Sequence, residues 1–268
     1  EKYIKKFIKS LKEQDFSDVE FIIVNDASID NSHEIIIEEI KLDSRFKYIK
    51  KDINEGEMKA RQTAYEIAKG DYIINIDSDD FISKFFISSL YYMASEHQLD
   101  FVTCNVLPVT EEGERINHDF MGFDSNFIYR DIRDSLILPY ATWARLTRKE
   151  ILERYDYKYT DGEMNLTRLQ FLTNIKVGHS SDAVLFYRQR LSSLSSIKNS
   201  SKRLENRFDE NELFNIYKND LELTSQLSNE FKIFRLLNLT KLVFIAGINS
   251  FGIWEYTKRV ADLKKIYN

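Results

Sequence analysis

The chain of 268 residues has little cysteine, no excess of positive charge and no long uninterrupted apolar run. Its one cysteine, Cys104, excludes an internal disulfide, and its apolar neighbours predict a buried structural thiol. The formal net charge of -5 argues against a nucleic-acid-binding protein, because such proteins meet phosphates with a basic surface. We therefore expect no nucleic acid among the partners of the chain.

The most apolar stretch, residues 236–254, contains Asn238, Lys241 and Asn249, which a bilayer-spanning helix seldom tolerates. We interpret this stretch as a buried helix, with contact to a membrane surface or a partner as the alternative. The first residues do not resemble a signal peptide. We therefore expect a cytoplasmic protein, with peripheral attachment at the inner face of the membrane as a variant of that location.

Helical and strand patterns of apolar residues alternate along the first part of the chain. The expected helices are 4–11, 31–41 and 57–69, and the expected strands are 19–24, 46–49 and 72–76. Such alternation predicts an α/β fold with a mostly parallel sheet and helices on both faces. Ligands of these sheets bind beyond the carboxyl ends of the strands, where Asp26 and Asp77 fall.

The strand pattern of residues 70–76 ends in three carboxylates within four positions, Asp77, Asp79 and Asp80. Because like charges repel at short range, such a cluster predicts a hard divalent cation held by oxygen ligands. A cation site requires the three carboxyl groups to gather. Carboxyl groups that are splayed apart or engaged by lysines and arginines, with no room for an ion, would contradict it.

Three ordered motifs resemble those of family 2 glycosyltransferases with the GT-A fold. Residues 22–32 resemble V-D-D-x-S-x-D-x-[ST], residues 54–61 resemble N-x-G followed by A-R-N, and residues 77–80 resemble D-x-D-D. The resemblance covers about residues 1–198. It implies a Rossmann-like GT-A catalytic domain there. Charged and amphipathic patterns in residues 199–268 predict a C-terminal helical extension, with three alternative roles: to complete the acceptor groove, to form a homo-oligomer or to contact a membrane surface.

Two downstream segments extend the resemblance. Residues 142–152 resemble W-x-K-L-[YF]-[RK]-[RK]-x-[IL], which implies that Trp143 and Arg145 lie on the acceptor side. Arg145 stands where lysine is usual, which keeps the charge and changes its geometry. Residues 185–196 resemble Y-R-x-R-x-x-S-x-S, and arginines at Arg188 and Arg190 suit the donor diphosphate.

The family resemblance implies an inverting, metal-dependent glycosyltransferase of the hexosyl or N-acetylhexosaminyl type. The donor is expected to be a nucleotide sugar, namely a UDP-sugar, and the acceptor a saccharide or glycoconjugate in surface polysaccharide synthesis or protein glycosylation. The implied cofactor is Mn²⁺ or Mg²⁺, bridging the carboxylates and the diphosphate.

The resemblance also assigns roles to individual residues. Asp79 and Asp77 are implied as metal ligands, and Asp77 also faces the ribose. Asp26 is implied at the base ring, and Arg61 near the base or the diphosphate. Asp80 supports the metal ligands or positions the acceptor. The other implied nucleotide-sugar contacts are Ser28, Asn54, Gly56 and Ser78.

An inverting transfer needs a base that deprotonates the acceptor hydroxyl. The family has an E-D pair about a hundred residues after D-x-D, where this chain reads T-D-G-E-M-N-L over residues 160–166. Helical spacing places Met164 at the base position. A shift of one residue places Glu163 there, so we favour Glu163 as the base, with Asp161 as a second candidate. A chain without a working base would be a degenerate sugar-nucleotide or protein-binding module, which is our alternative function.

The family begins with an apolar strand that ends in P-x-Y-N, and this chain opens immediately after that point. We therefore expect that residues before Glu1 are missing from the sequence and that the sheet lacks a central strand. A phosphatase of the haloacid dehalogenase type is disfavoured, because its D-x-D-x-[TV] motif requires Thr or Val where Phe81 stands.

The binding candidates also have structural alternatives. Asp26 and Asp30 would serve as caps of the following helix. Arg61 would pair with Glu57 or Glu66 on its own helix. Arg188 and Arg190 would be ion-pair partners within the fold. The four histidines show no paired ligand spacing, which favours surface or structural roles.

Overall fold

A computed structural model describes residues 1–116, 123–128, 145–159 and 175–190. Its helices are α1 (Ile4–Lys12), α2 (Ser32–Ile40), α3 (Glu57–Ile67), α4 (Phe86–Glu96) and α5 (Lys149–Arg154). Its strands are β1 (Phe21–Asn25), β2 (Phe46–Lys50), β3 (Tyr72–Ile73), β4 (Phe81–Ile82), β5 (Phe101–Val109), β6 (Phe127–Ile128), β7 (Arg145–Arg148) and β8 (Val177–Arg188). The expected extension over 199–268 lies outside the described residues, and the domain boundary at 198 stays a prediction.

The strands form two sheets. β1 pairs with β2 in parallel, and the other six form a sheet with the order β3-β7-β5-β8-β4, in which β6 also pairs with β8. The two longest ladders, β1 with β2 and β5 with β8, are parallel, and the four shorter ladders are antiparallel. The predicted α/β class with a mostly parallel sheet is therefore confirmed.

Strand β3 is shorter than the sequence predicts. A strand was expected over residues 72–76, but only Tyr72 and Ile73 form a ladder, and their partner is β7. Within the described residues no strand hydrogen-bonds to the other edge of β3, so residues 74–76 have no ladder to join. The expectation that the sheet lacks a central strand stays a prediction.

Strand β5 forms the middle of the core and separates its two faces. Val102, Cys104 and Val106 pack with apolar residues of α1 and α4, whereas Phe101 packs with Ile151 and other residues near α5. Helices therefore cover both faces of this sheet, as predicted from the alternating pattern. Burial raises the pKa of the fully buried Cys104 thiol, which confirms the predicted structural cysteine.

None of the helices within the described ranges is both long and apolar enough to cross a bilayer. The apolar stretch 236–254 lies outside those ranges.

His179 on β8 is a structural core residue. Its side chain is fully buried, and its ring nitrogens lie 2.9 Å from Thr103 Oγ1 and 2.9 Å from Asn105 Oδ1. These partners suit a neutral ring, in which Nε2–H donates to the amide oxygen and Nδ1 accepts from the hydroxyl. Burial lowers the pKa of His179 to about 4, and the ring stacks on Phe127. The expected structural role is confirmed for this histidine.

We expect acidification to destabilise the fold through His179. The unfolded chain binds a proton below its ordinary pKa of about 6.5, whereas the folded chain does so only near pH 4. The free energy of unfolding should therefore fall by about 2 kcal/mol between pH 6.5 and pH 5 because of this group. Urea unfolding of the wild-type chain and of His179→Gln at both pH values isolates the contribution. Equal losses in the two proteins would contradict the assignment.

Candidate active site

Three carboxylates meet in a tight turn between β3 and β4, which we name the acidic turn (residues 77–80). The backbone N–H of Asp80 donates to the carbonyl of Asp77 at 3.0 Å and closes the turn. Asp77, Asp79 and Asp80 each offer an oxygen, and these oxygens lie within 4.8 Å of one another. The carboxyl groups therefore gather as the sequence predicts.

Arginines engage two of the three carboxylates. Arg61 on α3 places Nη2 2.7 Å from Asp77 Oδ1 and 2.5 Å from Glu57 Oε1. Arg190, just after β8, forms an ion pair with the carboxylate of Asp79. Engagement by arginines, one part of the arrangement that would contradict a cation site, is therefore present at Asp77 and Asp79. The physical reason is that three acids this close together need neighbouring positive charge when no cation is bound.

The pairing of β4 with β8 brings Arg188 to the acidic turn. Phe81 lies opposite Phe186, with ring centroids 4.6 Å apart, and the same register places Arg188 opposite Asp79. The Arg188 backbone N–H donates to Asp80 Oδ1 at 2.8 Å, and its Nε donates to the Asp79 carbonyl at 2.7 Å. The guanidinium also donates to the carbonyl of Glu111. Arg188 is thus buried and held by backbone carbonyl groups, and its contacts with the described residues do not include the ion pair of its structural alternative. A role in binding diphosphate stays a prediction.

Burial controls the electrostatics of the turn. Burial raises the pKa of Asp80 to about 8, and its Oδ2 accepts no hydrogen bond from any described residue. Burial also raises the pKa of Asp79, while the charge of Arg190 acts in the opposite direction. An orphaned buried oxygen among three gathered carboxylates fits a hard divalent cation, which takes oxygen ligands and favours their ionised form. Arg190 is the group with which such a cation would compete for Asp79.

A second set of polar contacts surrounds Asp26 at the carboxyl end of β1. Asp26 Oδ2 accepts the backbone N–H of Gly56 at 2.7 Å and that of Glu55 at 3.1 Å. Lys51 Nζ lies 3.1 Å from Asp26 Oδ1. Burial opposes ionisation, but these donors outweigh it and lower the pKa of Asp26. Asp26 therefore holds the start of α3.

This finding corrects one capping alternative and confirms the other. One structural alternative made Asp26 a cap of α2, the helix that follows it. The hydrogen-bond partners of Asp26 lie instead at the start of α3, where Gly56 is the N-cap residue. Asp30 does serve α2, since its Oδ1 accepts the backbone N–H of Ser32 at 3.1 Å. Gly56 has a φ of +92°, a backbone conformation that glycine adopts at little cost.

Helix α3 connects the Asp26 contacts with the acidic turn. Its start is fixed by Asp26, and Arg61 lies one turn further along and contacts Asp77. The structural alternative for Arg61 is confirmed for Glu57 as partner, although the same side chain also reaches the candidate metal ligand. The contacts of Asp26 with the start of α3 and of Arg61 with Asp77 thus connect all three predicted motifs through α3.

The remaining candidate residues lie in several different segments of the chain, with Ser78 inside the acidic turn. Ser28, Asn54 and Ser78 are exposed in loops. Arg145 is buried in β7, with its guanidinium carbon 4.8 Å from the centre of the Phe101 ring. Trp143, Asp161 and Glu163 lie outside the described residues. The binding and catalytic roles of all these residues stay predictions.

Sequence reasoning missed two sets of contacts. Tyr3 places its ring under the guanidinium groups of Arg188 and Arg190, at 4.7 Å and 5.5 Å, and its hydroxyl donates to Glu111. No local pattern marks this contact, because its partners are more than a hundred residues apart in sequence.

The second missed set centres on a buried tyrosine. Asn75 donates to the Tyr159 hydroxyl at 2.7 Å, and the Tyr159 backbone N–H donates to Gln62 at 2.9 Å. A polar Asn75 within the apolar run 72–76 was the available signal, since a polar side chain in a buried strand requires a partner. These contacts tie the chain at Tyr159 to both α3 and the residues leading to the acidic turn.

Comparison with known proteins agrees with this geometry. The family model described as glycosyl transferase family 2 matches residues 1–156, more than half of the chain. The chain belongs to glycosyl transferase family 2. The resemblance on which the sequence interpretation depends is therefore confirmed.

Relatives and solved structures match about three quarters of this family 2 chain. Glycosyltransferase GlyA of Streptococcus pneumoniae serotype 4 is 27% identical over 210 residues, covering 74% of this chain and 30% of GlyA. Uncharacterized glycosyltransferase EpsJ of Bacillus subtilis is 28% identical over 212 residues, covering 74% of this chain and 60% of EpsJ. The chain thus spans less than two thirds of either relative. The crystal structure of residues 1–349 of Staphylococcus aureus TarS with UDP-GlcNAc has a TM-score of 0.61 at 22% identity, covering 72% of this chain and 56% of that chain, which supports the shared fold.

We expect Asp26→Asn to destabilise the fold by about 1–3 kcal/mol, because an amide loses the charge that strengthens the bonds to Glu55, Gly56 and Lys51. Urea unfolding at pH 7 measures the difference. Glu38→Gln is the matched control, since it neutralises an acid in the exposed ion pair with Lys41 and should cost under about 1 kcal/mol. Equal effects of the two substitutions would show that Asp26 does not hold α3.

Proposed function

We propose that the chain is an inverting, metal-dependent glycosyltransferase that moves a sugar from a UDP-sugar to a saccharide or glycoconjugate acceptor. The observation that carries the proposal is the acidic turn, in which Asp77, Asp79 and Asp80 gather at the end of the run that begins with β3. Family membership supports glycosyl transfer, and the contacts of Asp26 and Arg61 support a donor site that reaches from β1 to this turn.

In this proposal Asp79 and Asp77 hold Mn²⁺ or Mg²⁺, and Asp80 supports them from its buried position. The bound ion supplies charge stabilisation to the departing diphosphate. The residues of the chain hold and orient the donor around it. Asp77 faces the ribose, and Arg61 remains close to Asp77 on the side of α3.

The proposed donor is a UDP-sugar of the hexose or N-acetylhexosamine type. The TarS structures with UDP-GlcNAc and with UDP support a uridine nucleotide. A carboxylate has about four acceptor positions, so Asp26 can accept the uracil N–H while it keeps its bonds to the start of α3.

The proposed acceptor is part of a surface polysaccharide or a glycoconjugate. One relative, over 116 residues at 31% identity and 42% of this chain, is named poly(ribitol-phosphate) beta-N-acetylglucosaminyltransferase TarS, which supports a polymeric surface acceptor. We propose a cytoplasmic location, where nucleotide sugars are the donors, with residues 199–268 as the candidate for membrane-surface or homo-oligomer contact. Glu163 remains the proposed base, with Asp161 as the second candidate.

Replacing Asp79 with Asn should abolish metal-dependent donor binding. In a thermal-shift screen of nucleotide sugars with and without Mn²⁺, we expect a UDP-sugar to stabilise the wild-type chain only when Mn²⁺ is present. We expect Asp79→Asn to lose this shift and to lower the rate of sugar transfer by about a hundredfold or more. Asp156→Asn, in which a highly exposed aspartate changes in the same way, should behave as the wild type. Stabilisation by no nucleotide sugar would overturn the proposal, and binding without turnover would indicate a degenerate binding module.

Replacing Glu163 with Gln should separate catalysis from donor binding. Loss of the base should lower kcat by about 10²–10⁴-fold and leave the KM of the donor nearly unchanged. Steady-state kinetics of Glu163→Gln and Asp161→Asn, at several pH values, measure this split. A large loss of kcat in Asp161→Asn alone would transfer the role of base to Asp161, and full activity in both would contradict a base in this segment.

A further inference from the structure

Asp79 and its partner Arg190 are the starting point. The Asp79 side chain is 21% exposed and that of Arg190 is 31% exposed, so this ion pair lies at the edge of the acidic turn. A guanidinium bound to a carboxylate occupies some of the lone pairs that a cation would use and places a positive charge beside the cation's position. Arg190 and a divalent cation therefore compete for the same carboxylate.

The two arginines of the segment differ in how firmly they are held. Arg188 is 3% exposed, and it donates to the backbone carbonyls of Asp79 and Glu111. Arg190 makes its ion pair with Asp79 and approaches the Tyr3 ring, while its Nε has no hydrogen-bond partner among the described residues. Backbone carbonyl groups thus hold the Arg188 side chain in place. Within the described residues, Arg190 is held by one ion pair and one ring contact, which a competing ligand can replace.

We propose that Arg190 is an exchangeable counter-ion: it neutralises Asp79 in the empty site and passes to the donor diphosphate when a divalent cation takes Asp79. This inference rests on the proposed function. It adds to that function a coupling between two ligands, because metal and diphosphate each favour the binding of the other through the movement of one guanidinium.

The chemistry of the guanidinium favours this exchange. A diphosphate bridged to Asp79 through a cation brings phosphate oxygens next to the position that Arg190 leaves. Arginine binds phosphate, as it binds carboxylate, through up to two parallel hydrogen bonds, and Nε of Arg190, which has no hydrogen-bond partner among the described residues, can supply the second. The metal alone must displace Arg190 without this compensation, so it binds weakly. Coupling between the two ligands follows, and it must be reciprocal.

The test measures the affinity of the full chain for Mn²⁺ alone and for UDP at saturating Mn²⁺, by calorimetry, with free Mn²⁺ checked by electron paramagnetic resonance. In Arg190→Gln we expect Mn²⁺ alone to bind about three- to tenfold more tightly, because its competitor is gone. We expect UDP with Mn²⁺ to bind about tenfold more weakly, because the diphosphate loses its guanidinium. A residue that merely stabilised the site would weaken both.

Two variants serve as controls. Arg154→Gln removes the same charge from an exposed pair with Glu150 on α5 and should change neither affinity. Arg190→Lys keeps a positive charge beside Asp79 but cannot form the paired hydrogen bonds to phosphate. Mn²⁺ binding should therefore stay near the wild-type value, while UDP binding weakens.

Each remaining outcome is decisive. Unchanged or weaker Mn²⁺ binding in Arg190→Gln would overturn the inference, and so would a failure of that variant to fold, since an exchangeable pair at this exposure cannot be essential to the fold. If the wild-type chain binds neither Mn²⁺ nor any UDP-sugar, the proposed function itself fails. If the wild-type chain binds both and only the sign of the Mn²⁺ effect is wrong, the function stands and the exchange does not.

Discussion

Repulsion among Asp77, Asp79 and Asp80 is the constraint around which this part of the molecule is built. Carboxyl oxygens within 4.8 Å of one another cannot all be ionised in a partly buried turn without compensating charge. The protein supplies that charge from α3 through Arg61, from the end of β8 through Arg188, and from just after β8 through Arg190. The stability of the turn therefore depends on the packing that brings these arginines next to it.

The sheet and the helices contribute to this assembly in different ways. Phe186 on β8 stacks on Phe81 of β4, so apolar packing against β8 sets the position of β4 and of the adjoining acidic turn relative to the arginines. Helix α3 has no fully buried residue, and it is positioned by polar contacts at its start and by Tyr159 against Tyr65. One side of the site is thus held by the hydrophobic core, and the other by hydrogen bonds and ion pairs.

Much of this arrangement was predictable from the sequence, and the reasons are local. The bounds of α1, α2 and β2 follow from the periodicity of apolar residues, and the gathering of the three aspartates follows from their spacing. The short β3 was not predictable, because the length of a strand depends on which neighbours pair with it. The pairing of Asp26 with the start of α3, and of Asp79 with Arg190, joins residues about 30 and 111 positions apart, and no short pattern encodes such distances. His179 has the same character, because its neutral state depends on Thr103 and Asn105 of a distant strand.

The alternation of side chains along β8 also determines which residues face the site. Phe186 and Arg188 lie two positions apart in β8 and share one face of the strand, which is set by the stack of Phe186 on Phe81, and Arg190 follows at the same spacing just after the strand. Inserting a single residue between Phe186 and Arg188 would turn both guanidinium groups to the opposite side without changing the composition of the protein. Inserting two would preserve their side. In related sequences, the site should therefore depend on whether each arginine lies an even or an odd number of positions after Phe186. It should depend less on which residue separates the two arginines.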